Sequence, residues 1–298
     1  LKDKIKNIHV NLIYLNVNIS PIQQRNLEKI VNCKVIDRTG LILEIFGSRA
    51  RSNEGKISVN LASLQFQKSR LVRSWTHLER QRGGAGFMGG PGEKQIESDK
   101  RQITEQIGRL KKKIKKINNI RLNQRSRRIK NNTPIISLVG YTNSGKSTLF
   151  NLLTKSNVLS KDMLFASLDS TIRRARILDT NLVFVDTVGF IRDLPTSLID
   201  AFKSTLDEIV NSDIILHIRD LSDDDYLSHK KEVLKILNEI GIKDNDQRII
   251  EVNNKIDLVD DEKNYKNIEN KTILTSSVSG DGISNLKERI LNKLDFLN

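Results

Sequence analysis

The chain has 298 residues, which suits two domains at roughly 100–200 residues each. Its single cysteine, Cys33, excludes a disulfide framework and a four-cysteine zinc site and fits a reducing, cytoplasmic setting. No apolar run approaches the ~18 residues needed to span a bilayer. The net charge of +14 is unevenly placed: residues 1–133 hold 29 Lys or Arg against 10 Asp or Glu, a net of +19, and residues 134–298 hold 21 against 26, a net of −5. That asymmetry points the first half at a polyanion, foremost nucleic acid.

In chain order, residues 8–16 (IHVNLIYLN) are β-rich, and Ser20-Pro21 then supplies an N-cap and a first-position proline for a helix over 21–31. A short strand follows at 33–37, completing a small α/β unit over 1–52. The chain begins with Leu, and this unit is expected to be partial. From Leu41 to Leu78 the pattern is helical, with Ile57, Leu61, Leu64, Leu71, Trp75 and Leu78 spaced 4, 3, 7, 4 and 3. A second run carries Ile96, Ile103, Ile107, Leu110, Ile114 and Ile117 at spacings 7, 4, 3, 4 and 3. Two narrow stripes around a glycine-rich stretch predict a long antiparallel helical hairpin over 53–128, self-sufficient as a monomer. The cationic run containing Lys111, Lys112 and Lys113 is expected to contact RNA by releasing counterions from phosphates. Residues 129–133 read as a linker.

The hairpin tip, 83–92, contains Gly84-Ala85-Gly86-Phe87-Met88-Gly89, formally G-x-G-x-x-G. That fingerprint works only between a buried strand and a helix. The preceding RSWTHLERQR is charged and helical, so the match is a decoy. Gly86, Phe87 and Met88 read instead as an RNA-contacting tip in which Phe87 stacks on a base.

Pro134–Val139 (PIISLV) reads as a buried parallel strand, leading into Gly140-Tyr141-Thr142-Asn143-Ser144-Gly145-Lys146-Ser147 and then a helix from Thr148. In this G-x-x-x-x-G-K-S loop, backbone N–H groups wrap phosphates, Lys146 reaches the β- and γ-phosphates, and the Ser147 hydroxyl ligates Mg²⁺. A second strand, NLVFV, ends in Asp186-Thr187-Val188-Gly189: Asp186 is placed to hold the metal's water shell, and Gly189 lets its N–H approach the γ-phosphate. A third, RIIEVN, ends in Asn254-Lys255-Ile256-Asp257, whose last carboxylate can accept the paired donors of guanine and so favours GTP over ATP. Ser276, Ser277 and Val278 fit the loop backing the base. Between these elements, Ser167, Ser170 and Thr171 are all candidates for the hydroxyl that completes the Mg²⁺ shell. The position after D-x-x-G, where Gln orients water in Ras-like enzymes, is Phe190, so slow intrinsic hydrolysis stimulated by a partner is expected.

The fold class expected is α/β: a P-loop GTPase domain over 134–298, mostly parallel, with helices on both faces, behind the partial N-terminal domain and the hairpin. The segments SPIQQRNLE (20–28), DRTGLILEIFGSRA (37–50), RLVRSWTHLERQRGG (70–84), GPGE (90–93), GYTNSGKSTLFN, FASLD, DTVGFIRDLP and NKID together resemble the HflX family of ribosome-associated GTPases. The resemblance implies an enzyme converting GTP to GDP with Mg²⁺, and an N-terminal domain and hairpin that bind ribosomal RNA of the large subunit. It implies a role in splitting or rescuing stalled or idle ribosomes, with a GTP-dependent RNA switch in subunit assembly as the alternative. The family's FATLD threonine falls on Ser167, which the resemblance makes the switch Mg²⁺ ligand within Phe165-Ala166-Ser167-Leu168-Asp169. Serine there lacks the methyl group that would help fix a closed switch.

Overall fold

The computed structural model describes residues 10–81, 91–130, 133–156, 170–195, 198–199, 202–259 and 272–297. The expected tip residues Gly86, Phe87 and Met88, and the segment Phe165–Asp169 with Ser167, lie outside the described residues. The chain divides into two compact units, one formed by 1–117 with 195–201 and the other by 118–194 with 202–298.

The first unit opens with a parallel pair, β1 (Leu12–Tyr14) and β2 (Lys34–Ile36), joined by helix α1 (Pro21–Val31). Ser20 caps α1 as its sequence predicts: its hydroxyl accepts from Gln23 N–H at 3.2 Å, and Gln23 Oε1 accepts from Ser20 N–H at 2.8 Å, a reciprocal capping box. Val31 and Val35 are the buried centre of the β1–α1–β2 cluster, with Ile13, Leu15 and Leu27 against them. Asp37 then caps α2 (Arg38–Arg49) by accepting Gly40 N–H at 2.9 Å.

The helical run expected from Leu41 to Leu78 is broken into α2 and α3 (Asn53–Gln81). The break is local chemistry: Ala50 closes α2 through Phe46 O, and the Ser52 hydroxyl accepts Gly55 N–H at 2.8 Å to cap the new helix. The stripe on α3 is also wider than a two-helix seam. Leu61 and Leu64 do meet Ile103, Ile107, Leu110 and Ile114 of α4 (Pro91–Lys130). Val59 and Ala62 are buried as well, because α3 additionally packs on α1 and α2. Helix α4 runs to Lys130, through the first residues expected as linker.

The second unit is a six-stranded sheet in the order β4-β5-β3-β6-β7-β8. Its strands are β3 (Ile135–Gly140), β4 (Thr171–Ile177), β5 (Thr180–Asp186), β6 (Ile214–Asp220), β7 (Ile249–Asn254) and β8 (Ile273–Leu274). Among the described residues, only the β4–β5 pair is antiparallel. On one face, Ile136, Leu138, Leu216 and Ile218 pack with Leu149, Phe150 and Leu153 of α5 (Lys146–Thr154) and with Leu286, Ile290 and Leu294 of α8 (Ile283–Leu297). On the other face lie α6 (Lys203–Val210) and α7 (Tyr226–Glu239). Among the described residues, no helix is long and apolar enough to cross a membrane.

One residue of the sheet interior is out of character. His217, opposite Val139 in the β3–β6 register, is fully buried and neither ring nitrogen has a partner. Burial, reinforced by the charges of Arg219, Lys230 and Lys146, pushes its pKa down to about 3. Its folded pKa therefore lies below its unfolded value, so the fold is undisturbed above the unfolded pKa and loses stability as pH falls from about 6.5 towards 3, by up to about 4 kcal/mol. His217→Leu is expected to flatten the decline of the urea midpoint between pH 7 and pH 4; a variant as acid-sensitive as the parent would refute this.

Candidate functional site

The order of strand addition reverses at β3, which pairs parallel with β5 on one side and β6 on the other. The crevice at the carboxyl ends of strands beside such a reversal is where open α/β sheets hold ligands. The loop 140–145 and the N-terminus of α5 occupy this position.

Gly145 precedes α5 with φ of +87°, and a Cβ there would lie 2.2 Å from Asn254 Nδ2. Both the backbone angle and the approach require glycine. Asn254 itself is buried and joins two loops. Its Nδ2 donates to Ser144 O at 3.0 Å, while its Oδ1 accepts from Ser277 Oγ at 2.8 Å, Ser277 N–H at 3.1 Å and Thr275 Oγ at 3.2 Å. Lys255 adopts the left-handed region and its Nζ pairs with Asp220 Oδ2 at 2.7 Å. Asp257, in the short 3-10 turn Ile256–Leu258, is exposed, and Val278 is exposed beyond the buried Ser276, whose hydroxyl accepts the N–H groups of Val278 and Ser279.

Ser147, Asp186 and Lys146 converge as well. The Ser147 hydroxyl donates to Asp186 Oδ2 at 2.7 Å. These hard oxygen donors, one alcohol and one carboxylate, are what Mg²⁺ accepts, and a Mg²⁺ ion commonly completes its shell with water and substrate phosphate. Thr187 instead turns its hydroxyl to Leu138 O, 2.6 Å away. Of the other hydroxyl candidates, Ser170 Oγ accepts from Arg121 at 3.4 Å, and Thr171 opens β4 in register with Asp186.

Lys146 is 5 % exposed and its Nζ donates to Tyr141 O at 2.6 Å. Burial lowers its pKa to about 8, against the opposing pull of Asp186 and with a smaller push from Lys255. A Cβ at position 189 would sit 2.9 Å from Thr142 Cα and 3.1 Å from Lys146 Nζ, so Gly189 lies against both. Phe190 is buried, and its backbone brackets the loop: its N–H donates to Gly140 O at 3.0 Å and its carbonyl accepts from Thr142 N–H at 2.8 Å.

Two supports were not found from the sequence. Asp220 stands at the end of IILHIRD, a strand whose apolar run could have disclosed it. The Tyr141 ring stacks on His229 of α7, centroids 3.7 Å apart and planes at 9°, and its hydroxyl accepts Arg192 N–H at 3.1 Å. No sequence signal links Tyr141 to a helix nearly ninety residues away.

Three family models match in succession: GTP-binding GTPase N-terminal over 1–47, GTP-binding GTPase Middle Region over 49–128, and 50S ribosome-binding GTPase over 135–255. The chain is 48% identical over 287 residues to a GTPase HflX of Magnetococcus marinus, covering 96% of this chain and 66% of that protein. It is 46% identical over 241 residues to the Escherichia coli GTPase HflX, covering 80% and 56%, and 38% identical over 287 residues to that of Spirochaeta thermophila, covering 96% and 70%. It thus spans less than two thirds of the first two relatives. Among solved structures, a GTP-binding protein from Sulfolobus solfataricus in complex with GDP matches with TM-score 0.51 at 25% identity, covering all of this chain and 85% of that one.

Lys146 generates a prediction that separates stability from binding. Its folded pKa lies below the unfolded 10.5, so the unfolded chain binds more protons between pH 8 and 10.5 and stability rises with pH through that window. Below pH 8 the buried ammonium costs about 3 kcal/mol. Lys146→Met is expected to raise the melting temperature of the nucleotide-free protein at pH 7, with the gain shrinking by pH 10; a lowered melting temperature at pH 7 would count against it.

Proposed function

Because this chain belongs to the HflX family of GTPases, we propose that it binds GTP at the carboxyl ends of β3, β5 and β7 and hydrolyses it to GDP and phosphate on the large ribosomal subunit, splitting or rescuing stalled ribosomes. The observation that carries this reading is the pairing of the Ser147 hydroxyl with the Asp186 carboxylate at 2.7 Å, beside the buried Lys146.

In this proposal the loop from Gly140 to Thr148 encloses the phosphates. Lys146, with a pKa of about 8, is mostly ammonium at pH 7, and its Nζ turns from Tyr141 O to the phosphate oxygens. Mg²⁺, held by Ser147 and Ser167 and through water by Asp186, would neutralise phosphate charge when bound. Gly189, close to Lys146, offers its N–H to the γ-phosphate, with Val188 and Thr187 carrying the strand end behind it. Phe165, Ala166, Leu168 and Asp169 flank the switch hydroxyl. Asp257 accepts the N1–H and exocyclic amine of guanine, while Asn254, Lys255, Ile256, Ser276, Ser277 and Val278 shape the base site. Phe190 has no hydrogen-bonding side chain and is buried, so the chain's own geometry gives the attacking water no partner at that position. The ribosome then supplies the stimulus.

The large subunit as partner is supported by the name of the matching family model, 50S ribosome-binding GTPase, and by the charge of residues 1–133. Lys111, Lys112 and Lys113 are exposed on α4 and suit phosphate contact, with Phe87 at the tip stacking on a base. The partition into an N-terminal domain (1–52), hairpin (53–128), linker (129–133) and GTP domain (134–298) belongs to the same proposal.

Asp257→Asn is expected to weaken GDP binding at least about 100-fold and to improve xanthosine diphosphate binding, because the amide presents a donor to the guanine donors; calorimetry with both nucleotides checks this. Purified large subunits are expected to accelerate GTP turnover at least tenfold, and equal rates with and without them would refute ribosomal stimulation. In gradients with a non-hydrolysable GTP analogue, whole ribosomes are expected to fall into subunits. Intact ribosomes with the protein on precursor subunits would move the function to assembly.

A further inference from the structure

In the first unit, α1, α3 and α4 enclose an open groove of about 500 Å³ that the nucleotide site does not use. Its size is within the ~300–1,000 Å³ of small-ligand sites. Its lining joins the apolar Pro21, Leu71 and Ile103 to the polar Gln24, Gln67, Arg70, Asp99, Gln102 and Gln106. We propose that this groove is a nucleobase pocket that takes an unstacked base of single-stranded RNA.

Gln67, Gln102 and Gln106 each offer two N–H donors and a carbonyl acceptor, the complement of a base edge, while the Gln24 amide is committed to Val35 O, 2.7 Å from its Nε2, and to Arg70. The Asp99 carboxylate accepts from amino or imino groups and repels phosphate. Arg70 supplies a fixed plane. Asp37 and Gln24 take its two terminal nitrogens, Ile19 O accepts from it at 3.3 Å, and the guanidinium lies 4.5 Å over the Phe66 ring. A guanidinium braced in this way is a platform on which a base stacks. Among the described residues, no lysine lines the groove. The exposed Lys111, Lys112 and Lys113 follow Gln102 and Gln106 on α4, roughly 7–17 Å further along its axis. Base and backbone are thereby recognised by separate groups, the amides inside the groove and the lysines beyond it.

This inference rests on the proposed RNA binding, and the test separates the two. The full chain, saturated with GDP to occupy the other site, is titrated into fluorescein-labelled 12-mers of A, C or U and followed by anisotropy. The parent is expected to discriminate among the oligomers at least tenfold. Gln102→Ala/Gln106→Ala, at two exposed helical positions that tolerate alanine, is expected to erase that discrimination while keeping the salt dependence. Replacing Lys111, Lys112 and Lys113 with alanine is expected to weaken all oligomers alike and to reduce the salt slope by about 2. Binding without discrimination, or discrimination that survives the glutamine variant, overturns the pocket and leaves RNA binding standing. No binding of any oligomer overturns both. Displacement of an oligomer by the matching mononucleotide at equal concentration overturns RNA as the source of the base.

Discussion

The side chain of Asn254 is the tie on which the second unit's site depends. A single amide holds Ser144 of one loop and Ser277 of another, and so fixes the distance between the loop after β3 and the loop after β8. The same tie dictates a neighbour, because the amide nitrogen lies where a side chain at Gly145 would begin. An isolated motif asparagine is thus a structural member before any ligand arrives. Lys255 follows the same logic, since its pairing with Asp220 anchors the turn that presents Asp257.

Lys146 shows the opposite tendency. Burial takes its ammonium out of water and leaves it one backbone carbonyl, and the Asp186 carboxylate offsets only part of that loss, so its pKa falls to about 8. A chain selected only for stability would place an uncharged residue there. His217, buried on β6 with both ring nitrogens unpartnered, adds a second penalty in the same unit. The two act with the same sign in different windows: stability rises with pH between about 3 and 6.5 through His217 and between about 8 and 10.5 through Lys146.

Much of this was legible in the residues. Ser20-Pro21, the buried PIISLV run and the strand ends before Asp186 and Asn254 each carry a local signal, and each element forms where its signal lies. The break at Ala50–Ser52 was missed because apolar spacing continues across it, whereas the decisive event is a hydroxyl cap. The breadth of α3 is not legible in its seam spacing, because the helix also packs on α1 and α2 and buries Val59 and Ala62 as well. Strand β4 reads as TIRRARI, whose exposed arginines conceal an edge strand paired antiparallel to β5. Long-range contacts such as Tyr141 with His229 have no periodicity from which to be read.

That stack extends the reach of the loop into α7. Tyr141 rests its ring on a histidine outside every recognisable motif, and Arg192 N–H donates to its hydroxyl. A substitution scan that classes positions by their place in conserved-looking patterns would treat residue 229 as ordinary helix surface. The geometry instead makes it a foundation for the loop, so tolerance to change at this position is set by an aromatic face and not by helix propensity.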